Sequence, residues 1–218
     1  MEFHSRGYLP HISTVEASNY FVTIRLADSL PSVLLRQWQE ELALEKIRLS
    51  GRQARQRAAE RQYNRKVQNY LDKNRGSCSL RRPEITRMVA DALRFFEGQR
   101  YVLHAWTIMP NHLHVLFQPL NGCSVSSVIH SWKSYTAHRA NESLQRSGRF
   151  WQPEYFDTLI KSERQFEFCC RYILNNPVIA GLCKNVYQWP GSGCSLDMQS
   201  LVNRFFWKEE TGVDAESG

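Results

Sequence analysis

Apolar and polar positions along the chain switch between two periods. Residues 20–26 (Tyr-Phe-Val-Thr-Ile-Arg-Leu) alternate and are rich in β-branched and aromatic side chains, which predicts a strand. Asp28-Ser29-Leu30-Pro31 supplies turn and cap signals. From about Ser32 the spacing lengthens. Leu34, Leu35, Trp38, Leu42, Leu44 and Ile47 recur by threes and fours and predict a helix, interrupted at Gly51. Residues 52–73 keep a helical pattern with few apolar positions. Pro83 suits a helical first turn, and Ile85, Met88, Val89, Ala92, Leu93 and Phe96 predict one buried helix face that stops at Gly98. Strands are predicted over residues 100–109 and 112–117, with a sharp bend at Pro110-Asn111. A helix opening at residues 122–124 and ending near Gly148, a strand over 155–160 and a helix from Ser162 to Asn175, stopped by Pro177, complete the series. Residues 1–18 are expected to form a loose arm, residues 190–194 a loop, and little regular structure is expected beyond about residue 200. This order predicts an α+β fold, an antiparallel sheet covered by helices.

Composition narrows the classes. The 218 residues suit one domain, and 42% hydrophobic with 22% charged residues excludes a collagen, a mucin or a wholly disordered chain. No apolar run is long enough to cross a membrane, and the opening residues lack the apolar stretch of a secretory signal. Cys78, Cys123, Cys169, Cys170, Cys183 and Cys194 form no CxxC pair and are expected to be free thiols in a reducing compartment. The net charge of +7 points to an anionic partner. Residues 46–75 hold ten basic residues against Glu60 and Asp72, a local charge of +8 that exceeds the excess of the whole chain. The acidic residues 208–218 read as a solvated end.

Two segments carry candidate chemistry. In Met109-Pro110-Asn111-His112-Leu113-His114-Val115-Leu116-Phe117, residues two apart on a strand share a face, so His112 and His114 project together. Paired imidazoles form half of a metal site; taken alone, they equally describe two buried, hydrogen-bonded histidines. In Arg171-Tyr172-Ile173-Leu174-Asn175-Asn176-Pro177, Tyr172 and Asn176 lie one helical turn apart. That spacing brings a phenol and an amide oxygen to one place. Phe166, Cys169, Cys170 and Ile173 form the core stripe beside them. Tyr155, in the predicted strand, lacks such a partner and is read as packing or a contact to the anionic partner.

These segments, together with Trp132-Lys133-Ser134-Tyr135-Thr136 and Phe150-Trp151-Gln152-Pro153-Glu154-Tyr155-Phe156-Asp157, resemble the REP-associated tyrosine transposases, relatives of the single-tyrosine HUH transposases of single-stranded DNA. The resemblance runs from about Tyr20 to Trp189. It implies a ferredoxin/RRM-like antiparallel sheet, the HUH endonuclease fold. It implies that His112 and His114 are metal ligands, Tyr172 the nucleophile and Asn176 a third, amide-type ligand. It implies Mg²⁺ or Mn²⁺ as cofactor, a 5′-phosphotyrosine intermediate, and REP-like single-stranded DNA hairpins as partners in a bacterial cytoplasm, near the nucleoid. The long basic stretch has no counterpart in compact relatives, so its role is not carried over.

The expected organisation is an N-terminal arm over 1–18, one transposase-like domain over 19–190 with a basic helical insertion over about 32–76, and a tail over 191–218. Candidate DNA contacts are Arg25, Arg52, Arg55, Arg61, Arg65, Lys133, Arg139, Arg149, Trp151, Lys161 and Arg171, since single strands are held by positive charge and aromatic platforms. The basic stretch is either a solvated helical arm or a grip on a hairpin stem. Monomer and homodimer are both open. A non-catalytic single-stranded nucleic-acid-binding module is the alternative function, and a hydrolase using an activated water is a third.

Overall fold

The computed structural model describes residues 18–195 and, before them, the backbone of two short strands at 3–5 and 10–12. The elements run β1 (Phe3–Ser5), β2 (Pro10–Ile12), β3 (Tyr20–Arg25), α1 (Ser32–Arg48), α2 (Gln53–Leu71), α3 (Pro83–Arg94), β4 (Tyr101–Ile108), β5 (His112–Pro119), α4 (Val125–Ser143), β6 (Phe156–Leu159), α5 (Glu163–Ile179) and β7 (Ser192–Cys194). The five strands β6-β3-β5-β4-β7 form an antiparallel sheet in that order, and β1 pairs with β2 in a separate two-stranded ribbon. The α+β fold read from the sequence is the fold observed.

The two faces of the sheet carry different cores. Leu113, Val115 and Phe117 of β5 and Val22 and Ile24 of β3 pack with Ile85, Val89 and Leu93 of α3 and Val128, Ile129 and Trp132 of α4. Leu116 of β5 and Ala105 of β4 pack instead with Cys169, Cys170, Ile173 and Leu174 of α5. Strand alternation therefore sends His112 and His114 to the α5 face. A β-bulge between Leu103 and Ala105 shifts the parity of β4. Beyond it Ala105 and Thr107 turn to the α5 face, and Thr107 pairs with His114.

The basic stretch is not a free arm. Tyr63, Val67 and Leu71, spaced by fours on α2, are buried with Leu30 and Trp38 in a third cluster. Lys66 and Lys46 bind Glu41 and Glu60 across the α1–α2 hairpin at 2.8 and 2.6 Å. Docking α2 by this stripe carries its last turn to the α5 face of the sheet.

These boundaries differ from the sequence expectation. Residues 3–5 and 10–12 pair as strands within the expected arm. Residues 192–194 form β7 because Gly193 leaves space for the ring of Trp106, which a Cβ would strike. The fourth helix ends at Ser143 rather than near Gly148. Helix α5 runs through Pro177 to Ile179. Proline there removes one N–H near the helix end, a loss the packed helix absorbs. Asn176 consequently stays helical, one turn from Tyr172. Tyr155 lies just ahead of β6 and not in it. The expectation for residues beyond 200 falls outside the described residues.

Candidate functional site

Neighbouring side chains fix the orientation of His112. Asn111 Nδ2 donates to Leu71 O at 3.1 Å and Arg75 O at 3.0 Å, which sets which end of the amide faces the histidine. Asn111 Oδ1 therefore accepts from His112 Nδ1 at 2.7 Å. In the neutral ring, Nδ1 then carries the proton and Nε2 presents a lone pair. Thr23 Oγ1 holds His114 Nδ1 at 2.8 Å, and the two Nε2 atoms converge to 3.1 Å. Both imidazoles are fully buried, and burial pushes His112 down to about 3 and His114 well below its ordinary range. They are neutral at physiological pH, the state in which imidazole binds metals.

Two α2 residues stand against this pair. Gln68 Nε2 lies 3.3 Å from each Nε2 and 2.6 Å from Asp72 Oδ1. Asp72 Oδ1 is 4.0 Å from His112 Nε2, with its side chain 30% exposed. Burial raises the Asp72 carboxyl above the usual carboxylate range, with the Gln68 hydrogen bond opposing.

Tyr172 approaches from α5. Its ring meets His114 edge-on at 5.3 Å between centroids and Phe21 at 5.9 Å. Burial and then the Asp72 carboxylate raise its phenol well above the ordinary value, while a hydrogen bond from Asn176 lowers it. The phenol is thus protonated until charge arrives beside it. Asn176 is buried, and its Oδ1 has no hydrogen-bond partner among the described residues. Tyr172, Gln68 and Asp72 line one cleft of about 470 Å³ with Phe21, Phe156, Phe168 and Arg65. A cleft of that size admits a nucleotide.

The donors suit a divalent ion. They comprise two neutral imidazole nitrogens and a buried amide oxygen with an unused lone pair, and the carboxylate lies nearby. Among the described residues, no three His, Cys, Asp or Glu side chains stand close enough to form a ready cage; Asp72 Oδ1, 4.0 Å from His112 Nε2, is held by Gln68 and would have to close in to join the two histidines.

The expected DNA contacts divide. Arg52, Arg55, Arg61, Arg139, Arg149 and Lys161 are exposed, and Arg65 is exposed at the cleft. Arg171 is half-buried. Arg25 and Trp151 are corrections to the surface reading, being 1% and 6% exposed. Arg25 lies over the Phe156 ring, and Trp151 Nε1 donates to Thr136 Oγ1 at 2.8 Å. Lys133 is held by the carbonyls of Gln152 and Pro153 at 2.7 and 2.6 Å. Sequence reasoning missed Thr23, Gln68 and Asp72 and gave Asn111 no role. One signal was present: Asp72 is one of two acids in a stretch of ten bases.

The family model described as IS200-like transposase matches residues 72–176, from Asp72 through both histidines and Tyr172 to Asn176. The REP-associated tyrosine transposase of Escherichia coli (strain K12) is 27% identical over 108 residues, 49% of this chain and 62% of that protein. The match thus spans less than two-thirds of that relative. A solved structure of a REP-associated tyrosine transposase bound to a REP hairpin covers 100% of this chain and 95% of its own, with a TM-score of 0.51 at 17% identity. At that identity the likeness is one of fold. By these comparisons the chain is similar to the REP-associated tyrosine transposases, its residues 72–176 match the IS200-like transposase model, and its α+β fold is like that of the hairpin-bound structure.

Proposed function

We propose that the chain is a metal-dependent, single-tyrosine endonuclease that cleaves and rejoins hairpin-forming single-stranded DNA. The observation that carries the reading is the edge-on contact of Tyr172 with His114, beside two neutral imidazoles whose Nε2 atoms converge. His112, His114 and Asn176 Oδ1 are the residues that would hold Mg²⁺ or Mn²⁺. When bound, such an ion supplies Lewis-acid polarisation of the scissile phosphate.

The chain's own residues do the rest. Tyr172 Oη attacks phosphorus, and the bond from phosphorus to the 3′ oxygen breaks. The phenol loses one proton, the departing 3′ oxygen gains one, and a 5′-phosphotyrosine remains. The ester keeps the energy of the broken bond, so a 3′-hydroxyl can later reverse the step without ATP. Asn176 steadies the phenol oxygen through its hydrogen bond. Phe21, Phe156 and Phe168 offer faces for unstacked bases along the cleft, and Arg65 with Arg52, Arg55 and Arg61 offers charge for phosphates. On this reading residues 19–190 are one working domain with α1–α2 inserted, acting in the bacterial cytoplasm on REP-like hairpins. No helix among the described residues is long and apolar enough to cross a membrane.

The test is an SDS-stable adduct. The full chain is incubated with labelled single-stranded hairpins drawn from DNA flanking its gene, with Mn²⁺ or with EDTA. A labelled adduct is expected with Mn²⁺, absent with EDTA and absent in Tyr172→Phe. Binding with no adduct on any hairpin would replace this reading by the binding module. Cleavage that persists in Tyr172→Phe would replace it by water-mediated hydrolysis.

A further inference from the structure

The amide of Gln68 meets more acceptors than it has hydrogens. Nε2 faces Asp72 Oδ1 at 2.6 Å and both histidine Nε2 atoms at 3.3 Å, while those two atoms are 3.1 Å apart. A side-chain amide carries two N–H bonds. His112 presents a bare lone pair, fixed by Asn111. If His114 does the same, three acceptors share two hydrogens. If His114 Nε2 is protonated instead, it donates to His112 and confronts the Gln68 donor. Either tautomer leaves one polar group in this cluster without a protein partner, beside two histidines that are fully buried. A divalent cation satisfies all three acceptors at once and needs no proton.

The same side chain that orients His112 also fastens the end of α2. Asn111 Nδ2 grips the carbonyls of Leu71 and Arg75, on either side of Asp72. Leu71 is itself fully buried. Asp72 is therefore held beside the histidines by both anchors and is not a mobile surface acid. We propose that the α1–α2 hairpin completes the metal centre: Asp72 is a ligand supplied by α2, and Gln68 is a stopper that fills the cation's place until the ion displaces it. The proposal rests on the reading that His112 and His114 hold a divalent ion. One carboxylate with two neutral imidazoles leaves the bound ion a net positive charge, which favours a phosphate on the open side.

Mn²⁺ binding by the full chain, measured by titration calorimetry without DNA, tests this. Asp72→Asn keeps the shape and a hydrogen-bond acceptor for Gln68. It should weaken Mn²⁺ binding by about tenfold or more, with an unchanged melting temperature in EDTA. Gln68→Ala removes the stopper and no ligand, and should tighten Mn²⁺ binding. The double variant His112→Ala, His114→Ala should abolish it. If the double variant loses Mn²⁺ while Asp72→Asn binds as wild type does, the α2 ligand is overturned and the histidine reading stands. If the double variant binds Mn²⁺ as wild type does, both fall. Weaker or unchanged binding in Gln68→Ala overturns the stopper.

Discussion

Strand β5 presents two faces that are equally buried and chemically opposite. Leu113, Val115 and Phe117 sit at 0–1% exposure against α3 and α4, and His112 and His114 sit at 0% against α2 and α5. Burial on the first side is a gain for each side chain, roughly 1.5–3 kcal/mol for a large apolar group. Burial on the second side removes water from two imidazoles and disfavours their charged, doubly protonated form. Thr23, Asn111 and Gln68 replace that water one hydrogen bond at a time. Burial therefore does not separate core from site; the polarity of what is packed on a residue does.

Several substitutions break or sharpen this contrast. The largest stability effect belongs to the apolar face. Phe117→Ala should cost about 3–5 kcal/mol in urea unfolding. His114→Ala should cost less than Phe117→Ala while abolishing the Mn²⁺-dependent adduct. An equal loss of stability in the two variants would make the histidine face ordinary core. The exposed side of α2 carries a smaller, electrostatic effect. Replacing Arg52, Arg55, Arg61 and Arg65 by glutamine should flatten the salt dependence of hairpin binding. The slope should fall by about 0.7 for each phosphate that the arginines no longer neutralise. An unchanged slope would confine the basic helix to a structural role.

The smallest effect concerns Lys133, which α4 sends toward the carbonyls of Gln152 and Pro153. Burial lowers its amine to about 8, with Glu154 opposing and Arg25 adding to the fall. The unfolded value is about 10.4, so folding disfavours the charged amine. That cost is complete below about pH 8 and fades as pH rises toward 10.4. Wild type should gain stability relative to Lys133→Met across that window in parallel thermal melts. A pH-independent difference would show that Lys133 is not desolvated.

The sequence made the sheet legible because alternation and helical spacing are strong over 20–26, 83–96, 101–117 and 163–175. His112 and His114 were legible by strand parity, and Tyr172 with Asn176 by helical spacing. The misses share a physical cause, since each depends on packing between distant segments. Gly193 makes a strand because Trp106 lies over it, 87 positions earlier. Pro177 stays helical because α5 is packed on the sheet. Gln68 and Asp72 reach the histidines because Tyr63, Val67 and Leu71 dock α2, and no local pattern states where a polar helix docks. Arg25 and Trp151 look like surface residues in sequence, and the bridge between Leu26 and Trp151 draws that end of the sheet inward.

The central claim is that Tyr172 on the histidine face bonds covalently to DNA. Peptide mapping by mass spectrometry of the Mn²⁺-dependent adduct tests it most directly. After nuclease trimming, the account predicts a nucleotide remnant joined through a 5′-phosphate to the peptide bearing Tyr172. A remnant on the peptide bearing Tyr155, with Tyr172 unmodified, would contradict it.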